Sequence, residues 1–497
     1  MSIQSEINRI SGNVANALTA IAAKGVTIPT GSNSDDLATL IGQIQTGGGG
    51  AGAISIVDTP DAAGGTVRTI TAVDISGDTV TAAHLEQGYT AHDAQGNAIT
   101  GTLSPGGGGG SVSPKQVNFI DYDGSILYAY SAAEAQALSA LPANPSHSGL
   151  TAQGWNWTLQ EIKAQLTAMP DGPVWVGQMY ITQSGDTEID VSMQAGRLSP
   201  TMTIAVNGTV TVDWGDNTTA STVTGSSLST RQAPSHTYAA PGDYTIVIHV
   251  VSGSFTFYGS SAYTLLRKNT TGNENYVYAN CIQAVRLGSG ITRINNSAFY
   301  NCISLVYVTI PSAVKTLENF VFGYCYSLIS VTLPNGITSI PQSLLYNCYG
   351  IASISVPGAV SSVGQYAFYG CYSLRSITIP NSTSLSAQVS IFQSCYSLAE
   401  ITIPSSATTL ATNIFNSCYS LTSFTVPSNV TSIGNSAFNN CYGLKEYHIK
   451  PTSVPTLGTT AFNAIASDCV IYVPSAKLND YKTATNWSTY ASYMQGE

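Results

Sequence analysis

Beyond residue 282 the apolar and polar positions of the chain recur as a unit. From Cys325 to Ile340, Leu328, Val331 and Leu333 carry the alternation of a short strand. Pro334 stops that strand, because it has no N–H to donate. Ile337 and Ile340 then return inward across a turn. Cysteines mark the register at Cys302, Cys325, Cys348, Cys371, Cys395, Cys418 and Cys441, in steps of 23, 23, 23, 24, 23 and 23 residues. Phe299, Phe322, Leu345, Phe368, Phe392, Phe415 and Phe438 run three residues ahead of them. Prolines run nine behind, from Pro311 to Pro427. Three registers with one period predict an internal repeat. A unit this short cannot bury its apolar face alone, so the units must stack into a solenoid with one shared core. At a strand spacing of ~4.8 Å, about eight coils give a rod on the order of 40 Å long.

Upstream the periodicities change. Ile3, Ile7, Ile10, Val14, Ala17 and Ile21 are spaced 4, 3, 4, 3 and 4 apart, which is a heptad seam. Ile and Val at most core positions favour three strands over two. An ordinary amphipathic helix packed on a neighbour is the competing reading. A second short helix is expected from Ser34, with Asp35 and Asp36 at its positive end and Leu37, Leu40, Ile41 and Ile44 on one face. Glycine linkers follow at 47–53 and 106–114, with a small β-rich module between them at 54–105. In 115–193, Val117 to Ile120 and Ile126 to Tyr130 read as a hairpin around Asp123-Gly124. Ser131 with Glu134, and Thr158 with Glu161, are capping boxes that open two helices. Asp121 and Asp123 could be half of a calcium loop, but the other ligands are missing and a turn is favoured.

Several stretches resemble known families. Ala-Phe-x-x-Cys-x-x-Leu-x-x-[Ile/Val]-x-[Ile/Val]-Pro, as from Ala367 to Pro380, resembles the BspA-like class of leucine-rich repeats. The resemblance covers roughly 282–474, within a repeat region placed at 259–474. Ile471 through Trp487 is similar to the C-terminal cap of that class, placed at 475–497. Val212-Asp-Trp-Gly-Asp-Asn-Thr, followed by His236-Thr-Tyr-Ala-Ala-Pro-Gly-Asp-Tyr, resembles a polycystic-kidney-disease (PKD) β-sandwich at 194–258. The resemblance implies that Trp214 is core and that Pro241-Gly242 turns into the last strand. Leu85 to Thr102 resembles a short module of phage and prophage tail and fibre proteins. There Asp93 to Asn97 is the expected turn and Ala98 to Leu103 the following strand. The 115–193 region is similar to a domain that precedes BspA-like repeats in phage-derived proteins. The expected fold is mainly β and multidomain, with residues 1–46 as an N-terminal helical segment for attachment and oligomerisation.

Composition narrows the function. Charged residues make up only 9% of the chain and the formal net charge is −10. An acidic balance argues against nucleic acid as a partner. No run of 18 or more apolar residues predicts a membrane helix. The first 22 residues lack a secretory pattern, so folding in a cytoplasm is expected. The nine cysteines allow disulfides between neighbouring coils, but stacked side chains point the same way and the count is odd. A column of buried, reduced thiols is therefore favoured. The six histidines are scattered, with no metal-ligand spacing, and no cofactor is expected. No catalytic motif is present, and between 319 and 399 there is no Asp or Glu. A polysaccharide depolymerase is thus a distant third reading.

The residue after each repeat cysteine is Ile303, then Tyr326, Tyr349, Tyr372, Tyr396, Tyr419 and Tyr442. Two places before the cysteines stand Tyr300, Tyr346 and Tyr369, with Gly, Gln and Asn in the other coils. If the cysteines point inward, these tyrosines form a stripe flanked by Asn, Ser and Gly, the palette of antibody paratopes. The alternative is a ladder of rings that only stiffens the rod. The sequence thus reads as a non-enzymatic phage tail-fibre or receptor-binding protein of the virion. On that reading the N-terminus holds tail or baseplate proteins and forms a homotrimer through Ile3, Ile7, Ile10, Val14 and Ile21. The solenoid binds a glycan or protein on the host surface. The runner-up is a BspA-like bacterial surface adhesin.

Overall fold

The structure, a computed structural model, describes residues 114–259, 264–268, 278–385 and 388–497, together with the backbone of four strands nearer the N-terminus. The expected helices of 1–46, their Ile/Val seam and both glycine linkers lie outside the described residues. The chain divides into two compact units, 1–111 and 112–497. In the first, β1 (Ile54–Pro60) pairs antiparallel with β2 (Thr66–Ala72), and β3 (Thr90–His92) with β4 (Ala98–Thr100). β4 starts at the expected Ala98.

The second unit is mainly β with few helices. β5 (Val117–Ile120) and β6 (Ile126–Tyr130) form the expected hairpin. Its turn places Gly124 at φ +83°, a conformation natural to glycine. Both capping boxes are formed, opening α1 (Ala132–Ala137) and α2 (Leu159–Ala168). β7 (Leu150–Trp155) and β8 (Val174–Thr182) complete a four-stranded sheet in the order β6-β5-β8-β7. Phe119, Trp155, Trp157, Ile162 and Val176 are among the residues of its core.

A second sheet begins with β9 (Thr187–Met193). β9 pairs on one side with β13 (Gly242–Phe257), which continues to β11 (Ile204–Asp213) and β12 (Ser221–Gln232). β10 (Thr201–Met202) pairs separately with β14 (Leu266–Arg267). On its other side β9 pairs with β15 (Ile282–Arg286), the first strand of the solenoid. The eight-stranded sheet then runs on in parallel through 307–309, 330–332 and 353–355. The boundaries expected at 193/194 and 258/259 are therefore crossed by one sheet. Trp214 is fully buried, and its core is continuous with that of the repeats. The ring of Phe257 meets Phe299, the first rung of the phenylalanine ladder, at 5.2 Å. The strands before the repeats thus close the N-terminal end of the solenoid.

The repeats form a C-terminal solenoid of about nine turns. Their short strands pair in parallel at a step of one unit, as Ser330, Val331 and Thr332 do with Ser353, Ile354 and Ser355. Val331 and Ile354 face the core together with the phenylalanines and cysteines, all buried. Phe rings stack coil on coil, Phe299 on Phe322 at 5.4 Å and Phe392 on Phe415 at 5.6 Å. At the far end Trp487 and Tyr481 are buried. Their Nε1 and phenol donate to the carbonyls of Pro455 and Pro451, both at 2.7 Å. Met494–Gly496 adds a parallel strand to 470–473, so residues 475–497 seal the last coil.

Candidate binding surface

A solenoid offers its outer sheet face and its turns to a ligand. In the first coils the sheet face is already occupied. Thr309, Thr332, Ser355 and Thr378 alternate with core residues and point away from the core, yet all are buried. The α+β module of 115–182 lies over them. Asn156 Nδ2 donates to the carbonyls of Leu333 and Ser355, at 2.9 and 3.2 Å, and Trp157 Nε1 donates to Val356 O at 2.7 Å. Trp175 Nε1 donates to Ser376 Oγ at 2.8 Å, and Gln165 Nε2 to Ile379 O at 3.0 Å. β8 approaches so closely that a Cβ at Gly177 would overlap Thr332 and Ser355. The covering ends near Thr402, and the outward Ser423, Thr425 and Glu446 are exposed.

The turn side carries the tyrosines. Each coil bends there through two left-handed residues, five and one places before its cysteine. They include Ser297 and Asn301, Ser343 and Asn347, Ser390 and Ser394, Asn413 and Ser417, and Ser436 and Asn440. Small polar residues and glycine tolerate this conformation, whereas other L-residues lose roughly 1–2 kcal/mol. Beside these bends, Tyr326, Tyr349, Tyr372, Tyr396, Tyr419 and Tyr442 form one continuous column. Successive centroids lie 4.6, 4.3, 4.4, 4.7 and 5.4 Å apart, with the rings near parallel. The rings therefore spend their faces on one another and present edges and phenol groups outward. Partial burial raises the pKa of the Tyr326, Tyr349, Tyr372 and Tyr396 phenols. Tyr419 and Tyr442 are exposed, the latter by 56%. The column is thus stacked along its length and open to solvent at its Tyr419 and Tyr442 end.

Tyr300, Tyr346 and Tyr369 belong to a second group. Tyr346 stacks on Tyr369 at 4.7 Å, while Tyr300 meets Phe320 and Tyr324 edge to face. Burial, aided by the neighbouring tyrosines, pushes the Tyr346 phenol up to about 12. Three members of this group are absent from the sequence reading: Phe320, Tyr324 and Tyr366. All three occupy left-handed positions, at φ +57°, +62° and +58°. The signal that could have found them is their register, since the same two places hold Ser, Asn or Gly in the neighbouring repeats.

The cysteines point inward as free thiols. The Sγ of Cys325 donates to Phe299 O at 3.1 Å and that of Cys348 to Phe322 O at 2.9 Å, a pattern repeated up to Cys441. Burial pushes these thiols well up. Asp121, of the Asp121–Gly124 turn, accepts from the Tyr180 hydroxyl at 2.6 Å and lies 2.7 Å from His147 Nε2. A groove of about 440 Å³ beside β9 contains Asp190 and Asp243. Asp190 is held there by both terminal nitrogens of Arg286, at 2.7 and 2.8 Å. Among the described residues no group of three or more His, Cys, Asp or Glu could hold a metal ion. No described helix is long and apolar enough to cross a membrane.

Residues 252–371 and 338–467 match the model of the BspA type leucine rich repeat region, in six copies. The C-terminal solenoid is thus built of BspA-type repeats. A comparison with curated proteins finds no match. Among solved structures, a leucine-rich repeat protein of Bacteroides ovatus ATCC 8483 is 23% identical, with a TM-score of 0.35. That match covers 44% of this chain and 57% of that one, less than two thirds of the relative. A leucine-rich repeat protein of T. pallidum is 24% identical over 43% of this chain and 85% of its own, with a TM-score of 0.28. A leucine rich cell surface protein of Faecalibacterium prausnitzii A2-165 is 19% identical over 44% and 90%, with a TM-score of 0.20.

Proposed function

We propose that this chain is a non-enzymatic surface-binding protein, an adhesin of the BspA-like kind, that holds its ligand on the turn side of the solenoid. The observation that carries this reading is the six-ring tyrosine column on a rod whose sheet face is largely covered by its own α+β module. A pre-stacked column has little rotamer freedom left to lose, so contacts made to it keep more of their gross energy. The partner is a glycan or protein of a cell surface, and the protein's place is at a cell surface. The test is binding of the purified full chain to whole bacterial and host cells. Tyr419→Ser with Tyr442→Ser, at the exposed end of the column, should weaken cell binding by roughly an order of magnitude. Wild-type chain that binds no cell type would remove the adhesive reading.

A second reading is a phage tail fibre whose N-terminus docks on a virion and whose tip is the solenoid. The heptad seam and the fibre-like stretch Leu85 to Thr102 favour it. It requires a trimer, which would turn weak contacts into avidity. Light scattering of the full chain should then give three times the chain mass, and Ile10→Asp should return it to one. A monomeric wild-type chain rules the trimeric fibre out. On either reading the PKD-like Trp214, Asp216 and His236 serve as scaffold. His236 stacks on Trp214 at 5.2 Å, and its Nε2 lies 2.7 Å from the Asp216 carboxylate.

A further inference from the structure

The aromatic residues of the turn side are not evenly distributed. The two left-handed positions per coil hold Phe320 and Tyr324 in one repeat, Ser343 and Asn347 in the next, and Tyr366 and Gly370 in the one after. Elsewhere along the ladder these positions carry Ser, Asn, Thr or Ala. A bulky side chain in this conformation is an outlier that persists only where something else maintains it. The three exceptions converge on one spot. Tyr346 lies at its centre, 6.4 Å from Phe320, 5.4 Å from Tyr324, 6.4 Å from Tyr366 and 4.7 Å from Tyr369. Tyr324 also meets Tyr326 at 6.1 Å, which joins this cluster to the long column.

Orientation separates the cluster from the column. In the column both faces of each inner ring are taken by its neighbours. The ring of Tyr366 is turned 77° from Tyr346 and 75° from Tyr369, and that of Tyr324 is turned 70° from Tyr326. A ring so turned does not spend both faces on the stack. The two aromatic-bearing coils flank a coil with the small Ser343 and Asn347, and they are separated by two strand spacings, about 10 Å. Gly370 sits at φ +71° with its missing side chain beside Asn347. Arg375 is the one charged residue between 319 and 399, and Glu318, two places before Phe320, is neutralised by its ion pair with Arg293.

We infer that Phe320, Tyr324, Tyr346, Tyr366 and Tyr369, with Asn347 between them, form a discrete site for a neutral polysaccharide. Sugar C–H faces meet the electron-rich ring faces, and sugar hydroxyls meet the phenols and the Asn347 amide. The lack of carboxylates and cations favours an uncharged glycan over an acidic one. The half-buried, hydroxyl-rich rings favour a glycan over a protein hot spot, which would want a dry pocket. This inference rests on the adhesive reading above and assigns its ligand class and place.

The left-handed geometry supplies the test. Phe320→Ser, Tyr324→Asn and Tyr366→Ser together install the residue types that neighbouring repeats use at these positions. The triple variant of the full chain should melt at the same temperature as wild type or higher. It should lose about tenfold or more of its affinity for immobilised neutral polysaccharides, and Val251→Ser, at an exposed position of β13, should not. The probes are a neutral glucan, a neutral galactan, an acidic polysaccharide and a carbohydrate-free matrix protein, alongside whole cells. A lower melting temperature with unchanged glycan binding would show that the aromatics only pack the rod, and would overturn the site. Binding to the matrix protein but to neither neutral glycan would overturn the ligand class while leaving the adhesive reading intact. Cell binding that the triple variant retains would place the contact elsewhere. No binding to any cell would fail the adhesive reading itself.

Discussion

At the scale of single residues, the thiol column is the feature with the clearest physical consequence. Each repeat cysteine from Cys325 to Cys441 is a small buried group whose Sγ donates to a backbone carbonyl of the preceding coil. Burial disfavours the thiolate, so the folded pKa lies above the unfolded value near 9, at about 12 for Cys371 and Cys441. Between those values the folded chain holds protons that the unfolded chain has released. Stability is therefore fully present below pH 9 and is lost as the pH rises toward 12. The urea midpoint should be flat from neutral pH to about 8.5 and then fall steeply. Cys371→Ala should make the alkaline fall shallower by one proton, although it also lowers the neutral midpoint by leaving a small cavity. A midpoint that ignores pH up to 11 would contradict burial of the column. Stacked thiols that point the same way were legible in the sequence because one period carried them all.

At the scale of elements, the coil was legible and its bracing was not. The 23-residue period, a strand between Leu328 and Pro334, which the structure confines to Ser330–Thr332, and both capping boxes all follow from local chemistry. Tyr326 to Tyr442 share a column because one register places them on one side. The bends of each coil were harder to see, because a left-handed residue shows in sequence only when it is Gly or Asn, and here Phe320, Tyr324 and Tyr366 break that rule. The docking of the α+β module is a different kind of miss. Asn156, Trp157, Gln165 and Trp175 bond to partners 177 to 214 residues away, and no local pattern encodes such pairs. The continuous sheet through β9 was hidden for the same reason. A strand that reads as the end of one module becomes the shared edge of two when both of its sides are paired.

At the scale of the whole second unit, bracing changes how a repeat array should open. A bare solenoid is quasi-one-dimensional, and each coil is held only by its neighbours. Here the coils from 307 to 381 are also tied laterally by the module, whereas the strands at 423–426 and 446–449 are not. The clamp has its own cost. The hydroxyls of Thr309, Ser330 and Thr332 are buried beneath it without a hydrogen-bond partner among the described residues. Each such group forfeits about 1–3 kcal/mol. The indole of Trp157 outweighs one of them, since truncating a buried tryptophan costs about 3–5 kcal/mol. Amide exchange in 330–332 and 353–355 should therefore be slower than in 423–426 and 446–449. Trp157→Ala should bring the two groups together by loosening the first, with little change in the second. If the unbraced strands exchange as slowly as the braced ones in wild type, the module is a passenger and stability resides in the stack alone. If the variant loosens both groups equally, the core from Trp214 to Trp487 opens as one cooperative body, and lateral bracing sets its global rather than its local stability.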